Sequence, residues 1–262
     1  MTADHYFLGG HDLEMMAIAR LLRDERAVFS DAGLAWGARA TAYGEAIGAA
    51  VDAGDMPVLV ELADDLPPGI DRERLAVIDH HGSLAGSDRP SSLRQVFDRL
   101  GLDAARWTRE CALVAANDVG HIAGMVAIGA SPEEIMRIRA MDRAAQGVTR
   151  LDEAEARRGI ERRRRIGRLT VVKTASERTS PVTDLLDETH GGDGAAELLV
   201  FTPSGSHFFG SGAVVAALSG DAGCWYGGAL PQRGFWGNDR PAGEKDEKLI
   251  ARIVSLLDAA GS

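Results

Sequence analysis

The sequence predicts an α/β protein with a parallel-sheet N-terminal domain, helices on both of its faces, and a smaller α/β C-terminal domain. Three observations predict it. The first half alternates short apolar runs with longer stretches of helical periodicity, the rhythm of βαβ units. The composition shifts after a densely charged stretch that ends near Arg168. The 262 residues also exceed the roughly 100–200 of one ordinary domain. The expected division is 1–150 for the first domain, 151–167 for a charged helical linker and 168–262 for the second.

Strands are expected at residues 6–8, 27–30, 57–62 and 75–78, with helical patterns at 13–23 and 38–53 between them. Leu75-Ala76-Val77-Ile78 is short, apolar and partly β-branched, as in a strand buried on both faces. Beyond it the chain turns helical. Pro90-Ser91-Ser92 opens one helix, and Ser131-Pro132-Glu133-Glu134 opens another as a capping box with proline in its first turn. Leu113-Val114-Ala115-Ala116 reads as a further apolar run ending at Asn117 and Asp118. In the charged stretch, Asp152, Glu153, Glu155 and Glu161 precede Arg162-Arg163-Arg164-Arg165. That order suits a solvated helix whose last turn favours cations, and a phosphate-binding patch is the other reading. Strands follow at 169–173 and 197–202, a short helix at 182–186, then a glycine-rich segment and a final amphipathic helix over 244–257.

The net charge of −10 and a pI near 5.2 argue against broad binding of a polyanion, so no long nucleic acid is expected as partner. Cys111 and Cys224 are far apart and belong to no CxxC or Cys/His cluster, which leaves no support for a disulfide framework or a structural zinc site. No window approaches the roughly 20 apolar residues of a membrane span, and the first residues lack a signal-peptide pattern. A cytoplasmic protein without a membrane partner is the expectation, and a homodimer stays open.

Four segments place carboxylates or histidines where a strand should end. They are Gly9-Gly10-His11-Asp12-Leu13-Glu14, then Glu61 with Asp64 and Asp65 beyond it, then Asp79-His80-His81, and Asn117-Asp118-Val119-Gly120-His121. Ligands of parallel sheets collect beyond the carboxyl ends of the strands. A divalent ion such as Mn2+ or Mg2+ suits mixed carboxylate and imidazole donors, and two such ions would need a carboxylate that bridges them. An isolated His-His pair in a loop is the plainer alternative for His80 and His81.

An N-terminal acidic motif, an acidic strand end, Asp-His-His and a later Asp-x-Gly, in that order, resemble the DHH phosphoesterase superfamily with a DHHA1-like C-terminal domain. The resemblance implies divalent-metal-dependent hydrolysis of a phosphoester or phosphoanhydride by a metal-activated water. It implies Asp12 and Glu14 at the two acidic positions of the first motif, Glu61 at the metal-bridging position, and His80 and Asp118 as further metal ligands. It places His81 against the substrate phosphate and Asp79 behind a histidine. Two departures stand out. The family's histidine four residues before the first aspartate is Leu8 here, for which His11 is the only nearby substitute, and two of its aspartates are glutamates.

The C-terminal glycine-rich motif of that family ends in histidine, whereas this chain has Tyr226-Gly227-Gly228-Ala229-Leu230-Pro231-Gln232-Arg233-Gly234-Phe235-Trp236-Gly237. Arg233 can clamp a phosphate bidentately with Gly227 and Gly228 beside it, or be an exposed turn residue. His207 next to Phe208 reads as a packed strand histidine, His5 and His190 carry no motif, and His121 shares a helix face with Asp118 if a helix starts there. A short nucleotide is the expected substrate, stacked by the aromatic loop. The competing expectation is a catalytically degenerate scaffold that serves as a nucleotide-binding or regulatory module.

Overall fold

The computed structural model describes residues 3–35, 37–62, 69–86, 88–239 and 246–260. By its contacts the chain divides into two compact units, one of residues 1–80 and 90–129, the other of 81–89 and 130–262.

The first unit carries a four-stranded parallel sheet of β1 (Asp4–Leu8), β2 (Val28–Ser30), β3 (Met56–Val60) and β4 (Ala76–Ile78) in the order β2-β1-β3-β4. Tyr6, Phe7 and Leu8 are all buried, as are Val58, Leu59 and Val60, so both faces of the central strands are covered. On one face Phe7 and Leu59 pack against Tyr43, Ile47 and Ala50, which belong to α2 (Gly44–Ala53) and the short 3-10 turn before it. The expected helix over 38–53 is thus split. The other helices are α1 (Leu13–Asp24), α3 (Ser92–Arg99) and α4 (Arg109–Ala127), and α1 packs on both α3 and α4.

One expectation fails here. Leu113-Val114-Ala115-Ala116 is not a strand but lies inside α4, capped by the Thr108 side chain. Leu113, Val114, Asn117, Ile122 and Met125 are its buried residues, a helical spacing that a four-residue apolar window cannot distinguish from a strand. Asp118 therefore projects from a helix. Three residues on, α4 kinks at His121, whose φ of 53° and ψ of −142° are not helical.

In the second unit a six-stranded mixed sheet runs β5-β6-β7-β8-β10-β9, comprising β5 (Arg164–Ile166), β6 (Leu169–Lys173), β7 (Glu197–Phe201), β8 (Ser206–Ser211), β9 (Cys224–Gly227) and β10 (Arg233–Asn238). Among the described residues, only β6 and β7 of this sheet pair in parallel. The helices are α5 (Pro132–Ala145), α6 (Arg150–Glu161), α7 (Ser180–Leu186), α8 (Gly212–Leu218) and α9 (Asp246–Ala260). Leu169, Leu199, Phe201, Phe208, Val215, Trp236 and Ile253 form one core of this unit. Ser131 and Glu134 complete the capping box that their spacing predicts.

The boundary expected at 150 and the linker at 151–167 do not coincide with the division observed. The reason is packing: Arg139 of α5 is buried against Asp184 of α7, and Ala156 of α6 joins a core with Val172, Val182 and Val200. The arginine run is not the last turn of a helix either. α6 stops at Glu161, and Arg164 and Arg165 lie in β5, where they pair with Glu247 and Asp193. Asp193 also takes Arg163, so three arginines of the run face two acids.

Candidate metal centre

Four acidic or imidazole side chains of the first unit converge on one point. His80 follows β4, Glu61 follows β3, Glu14 lies in the first turn of α1, and Asp118 comes from α4. One ligand atom from each lies within 4.8 Å of every other. His80 Nε2 is 2.6 Å from Asp118 Oδ2, 3.3 Å from Glu61 Oε1 and 3.7 Å from Glu14 Oε2. The side chains are nearly sealed from solvent, and Asp118 is the most open at 14% exposure.

Local backbone chemistry sets each direction. Asp12 caps α1 by accepting from the Met15 N–H at 2.8 Å, which starts the helix there and turns Glu14 inward, where it is 1% exposed. Glu14 Oε1 accepts from the Leu93 N–H at 3.0 Å, so the N-terminus of α3 holds the carboxylate. Ser91 caps that helix through the Arg94 N–H. Glu61 continues the sheet ladder with its N–H on Ile78 O at 2.9 Å, yet its φ is 52°, in the left-handed region that a glutamate adopts at a cost. That turn at the end of β3 re-aims its side chain. Gly9 makes room for it, since a Cβ there would stand 2.4 Å from Glu61 O.

The electrostatics are those of excess negative charge. Burial, and then the charge of Asp118, hold the Glu14 carboxyl well above the usual carboxylate range. Burial pulls the His80 imidazole down, but the charge of Asp118 and the close contacts to Asp118, Glu14 and Glu61 outweigh it and raise it well above an ordinary histidine. A single ring nitrogen carries at most one proton and cannot serve three carboxylates. Glu14 Oε2, buried, has no hydrogen-bond partner among the described residues. A divalent cation would satisfy all four donors at once, and the donor set of three carboxylates and one imidazole matches Mn2+ or Mg2+ chemistry. The residues fit such an ion.

Of the metal ligands expected from the sequence, Glu14, Glu61, His80 and Asp118 are therefore brought together, while two are not. His11 is exposed, with its N–H on Leu34 O at 2.8 Å, and Asp12 is engaged as the α1 cap. The direction of the chain explains this: the bridge between Gly10 and Leu34 carries the backbone past the strand end before α1 begins, so His11 leaves on the outer side. Asp64 and Asp65 lie outside the described residues. Asp79 is half-buried, and its carbonyl accepts from Gln95 Nε2 at 3.1 Å. His121 occupies the kink of α4 and is not one of the four.

His81 belongs by its contacts to the second unit, where it precedes the 3-10 turn Gly82–Leu84. Its ring lies 6.1 Å from that of Phe235, and a Cβ on Gly227 would come within 2.9 Å of His81 Cδ2. Gly228 is left-handed at φ 98°, next to Gly234, and Arg233 is exposed at the start of β10. His207, as expected, is a strand histidine on β8, with Nε2 3.4 Å from Thr202 Oγ1, and burial lowers its pKa to about 4. The Leu93 amide that fixes Glu14 was not foreseen. Its signal was the Ser91-Ser92 helix start, which reads as a cap without disclosing what the freed amides hold.

Sheet order and site together define a two-unit α/β protein with an acidic cluster, a candidate metal centre, at the carboxyl edge of a parallel sheet. Comparison with protein-family models and with curated proteins found no match. Among solved structures, the chain is similar to RecJ in complex with Mn2+ from Thermus thermophilus, at a TM-score of 0.50 and 13% identity, over 99% of this chain and 52% of that one. It thus spans about half the length of that RecJ. Weaker likenesses are to the pGpG-specific phosphodiesterase PggH from Vibrio cholerae (TM-score 0.41, 12% identity, 98% of this chain and 99% of that one) and to exonuclease RecJ bound to manganese (0.36, 12%, 98% and 89%). The chain has the fold of the DHH phosphoesterases, the family that its Asp-His-His and Asp-x-Gly motifs resemble. Among the described residues, no helix is long and apolar enough to cross a membrane.

Proposed function

We propose that this chain is a divalent-metal-dependent phosphoesterase that acts on a short or small nucleotide, with Glu14, Glu61, His80 and Asp118 as its metal ligands. The observation that carries the reading is the buried convergence of three carboxylates on His80, with Glu14 Oε2 left without a hydrogen-bond partner among the described residues. A divalent ion bound there supplies Lewis acidity toward a phosphoryl oxygen and activates water near neutral pH. The RecJ structure with a similar fold was solved in complex with Mn2+, which favours manganese over magnesium as the first ion to test.

The chain's own groups do the rest. The α3 N-terminus and the left-handed turn at Glu61 hold their carboxylates before any ion arrives, so little reorganisation is required on binding. His81, next in the chain to His80, donates to a phosphoryl oxygen, and Asp79 acts from behind as an orienting group. Within the second unit, Gly227 lets backbone pass close to the His81 ring. Arg233 binds a distal phosphate through its planar fork, and Phe235 offers an aromatic edge to the base.

A second reading, a nucleotide-binding or regulatory module without turnover, draws on His11 and Asp12 standing apart from the four ligands. The two separate on one assay: Mn2+-dependent release of phosphate or nucleotide from pyrophosphate, 3′-phosphoadenosine 5′-phosphate, linear dinucleotides and cyclic dinucleotides. Turnover of one member that disappears in His80→Ala supports the phosphoesterase. Binding of a nucleotide without turnover at saturating Mn2+ leaves the module.

A further inference from the structure

We propose that the Ser92 hydroxyl is a positioning group of the metal centre, whose hydrogen bond is made to a water of the bound ion. The proposal rests on the metal-dependent reading above and deepens it. Ser92 opens α3, and Leu93, Val96 and Phe97 are the other buried residues of that helix. A hydroxyl at the head of an apolar face is costly unless something bonds it. Ser92 is wholly buried, and its Oγ has no hydrogen-bond partner among the described residues. The residue before it shows what a serine at a helix start ordinarily does. Ser91 is buried too, yet its Oγ accepts from the Arg94 N–H at 3.3 Å and so caps the helix. Of two adjacent serines, one serves the backbone, and the other needs a partner of a different kind.

The place of Ser92 identifies that partner. The next backbone N–H, that of Leu93, donates to Glu14 Oε1 at 3.0 Å, so the first turn of α3 already reaches the acidic cluster. α3 packs on α1, α4 and β4, the elements that bring Glu14, Asp118 and His80 there. Glu14 Oε2, the other oxygen of the carboxylate that Leu93 holds, is likewise buried without a hydrogen bond among the described residues. An ion with its water serves both atoms at once, a cation for the carboxylate oxygen and an O–H for the serine oxygen. Mn2+ and Mg2+ take about six ligands, and four protein donors leave about two positions to water. Such a water is a polarised donor beside carboxylates already committed to the ion, and Ser92 Oγ is the acceptor at hand. That bond orients the water, and orientation separates a water that is merely bound from one placed to react.

The full chain, stripped with chelator, is melted without metal and titrated calorimetrically with MnCl2, beside Ser92→Ala and Ser91→Ala. Ser92→Ala removes only the hydroxyl. It should leave the ion-free Tm unchanged or higher, because a buried unbonded oxygen is lost, and should weaken Mn2+ by about 10-fold or more, the usual cost of losing an outer partner of a metal site. Ser91→Ala loses a bonded cap and should lower the ion-free Tm, which marks how a structural loss reads. A lower ion-free Tm in Ser92→Ala, or its failure to fold, would make the hydroxyl part of the fold and overturn the proposal. A smaller loss of Mn2+ affinity would overturn it too, and both results leave the metal-dependent reading standing. No Mn2+ bound by the unaltered chain at millimolar concentration would overturn that reading and this proposal with it.

Discussion

Two buried ionic clusters, one in each unit, are built from the same kinds of residue to opposite ends. In the second unit Arg139, 2% exposed, donates from Nε to Asp184 Oδ1 at 2.9 Å and from Nη1 to Asp142 Oδ2 at 2.6 Å. Arg143 pairs with Asp184 Oδ2, Gln146 donates to Asp142, and Ser180 donates to Gln146. Two positive charges face two negative ones. In the first unit three carboxylates face one imidazole, with the Leu93 amide as the one backbone donor seen on Glu14. A cluster that closes its own charge joins elements; one that leaves charge over is prepared for something it does not itself contain.

The largest effect should come from breaking the closed cluster. Asp184→Ala strands Arg139 without its main partner and should destabilise the second unit by about 3–5 kcal/mol in denaturant melts. A cost below about 1 kcal/mol would mean that Asp142 alone suffices.

Burial without compensating charge has its own signature in His207. Its pKa falls from 6.5 to about 4 because burial disfavours the imidazolium, with Glu177 opposing weakly. Below pH 6.5 the unfolded chain takes up a proton that the folded one refuses, so stability is lost as the pH falls from 6.5 toward 4, by roughly 3 kcal/mol in all. His207→Gln should flatten that slope, and an unchanged slope would assign it to other groups.

For the open cluster the prediction is a gain on ligation. Mn2+ at a hundredfold over its dissociation constant should stabilise the protein by about 2.7 kcal/mol, read as a concentration-dependent Tm. Asp184→Ala should lower the starting Tm but keep that increment.

The smallest effect is on the ion-free protein. Asp118→Asn removes a like charge beside Glu14 but also the charged partner of the His80 imidazole, two effects of opposite sign, so it should change ion-free stability by no more than about 1 kcal/mol while abolishing the Mn2+ increment. Destabilisation of the ion-free protein by about 3 kcal/mol or more would make the cluster an ordinary structural network like that of Arg139.

Much of this contrast was legible in the sequence, and the illegible part has definite causes. The strands at 6–8 and 75–78 announced themselves as apolar runs ending in polar residues, and Glu14, Glu61, His80 and Asp118 were named from their motif positions. Asp118 was placed on a strand end because four apolar residues precede it, whereas the buried series Leu113, Val114, Asn117 and Ile122 becomes helical only over a longer window. His11 and Asp12 stand apart from the four for a different reason: adjacent residues point in different directions, and the α1 cap that separates them rests on one hydrogen bond to Met15. The domain boundary was hidden because nothing in the charged pattern of α5 and α6 announces that Arg139 will be buried.

Gly9 carries a consequence for how such chains are found in genomes. With Glu61 O only 2.4 Å from where its Cβ would be, position 9 is tied to a residue more than fifty positions downstream. Any chain that keeps a left-handed glutamate at the end of its third strand should keep a bare backbone at the end of its first. A search that requires that glycine together with the Asp-His-His run would gather chains by the shape of their main chains as well as by their side-chain motifs.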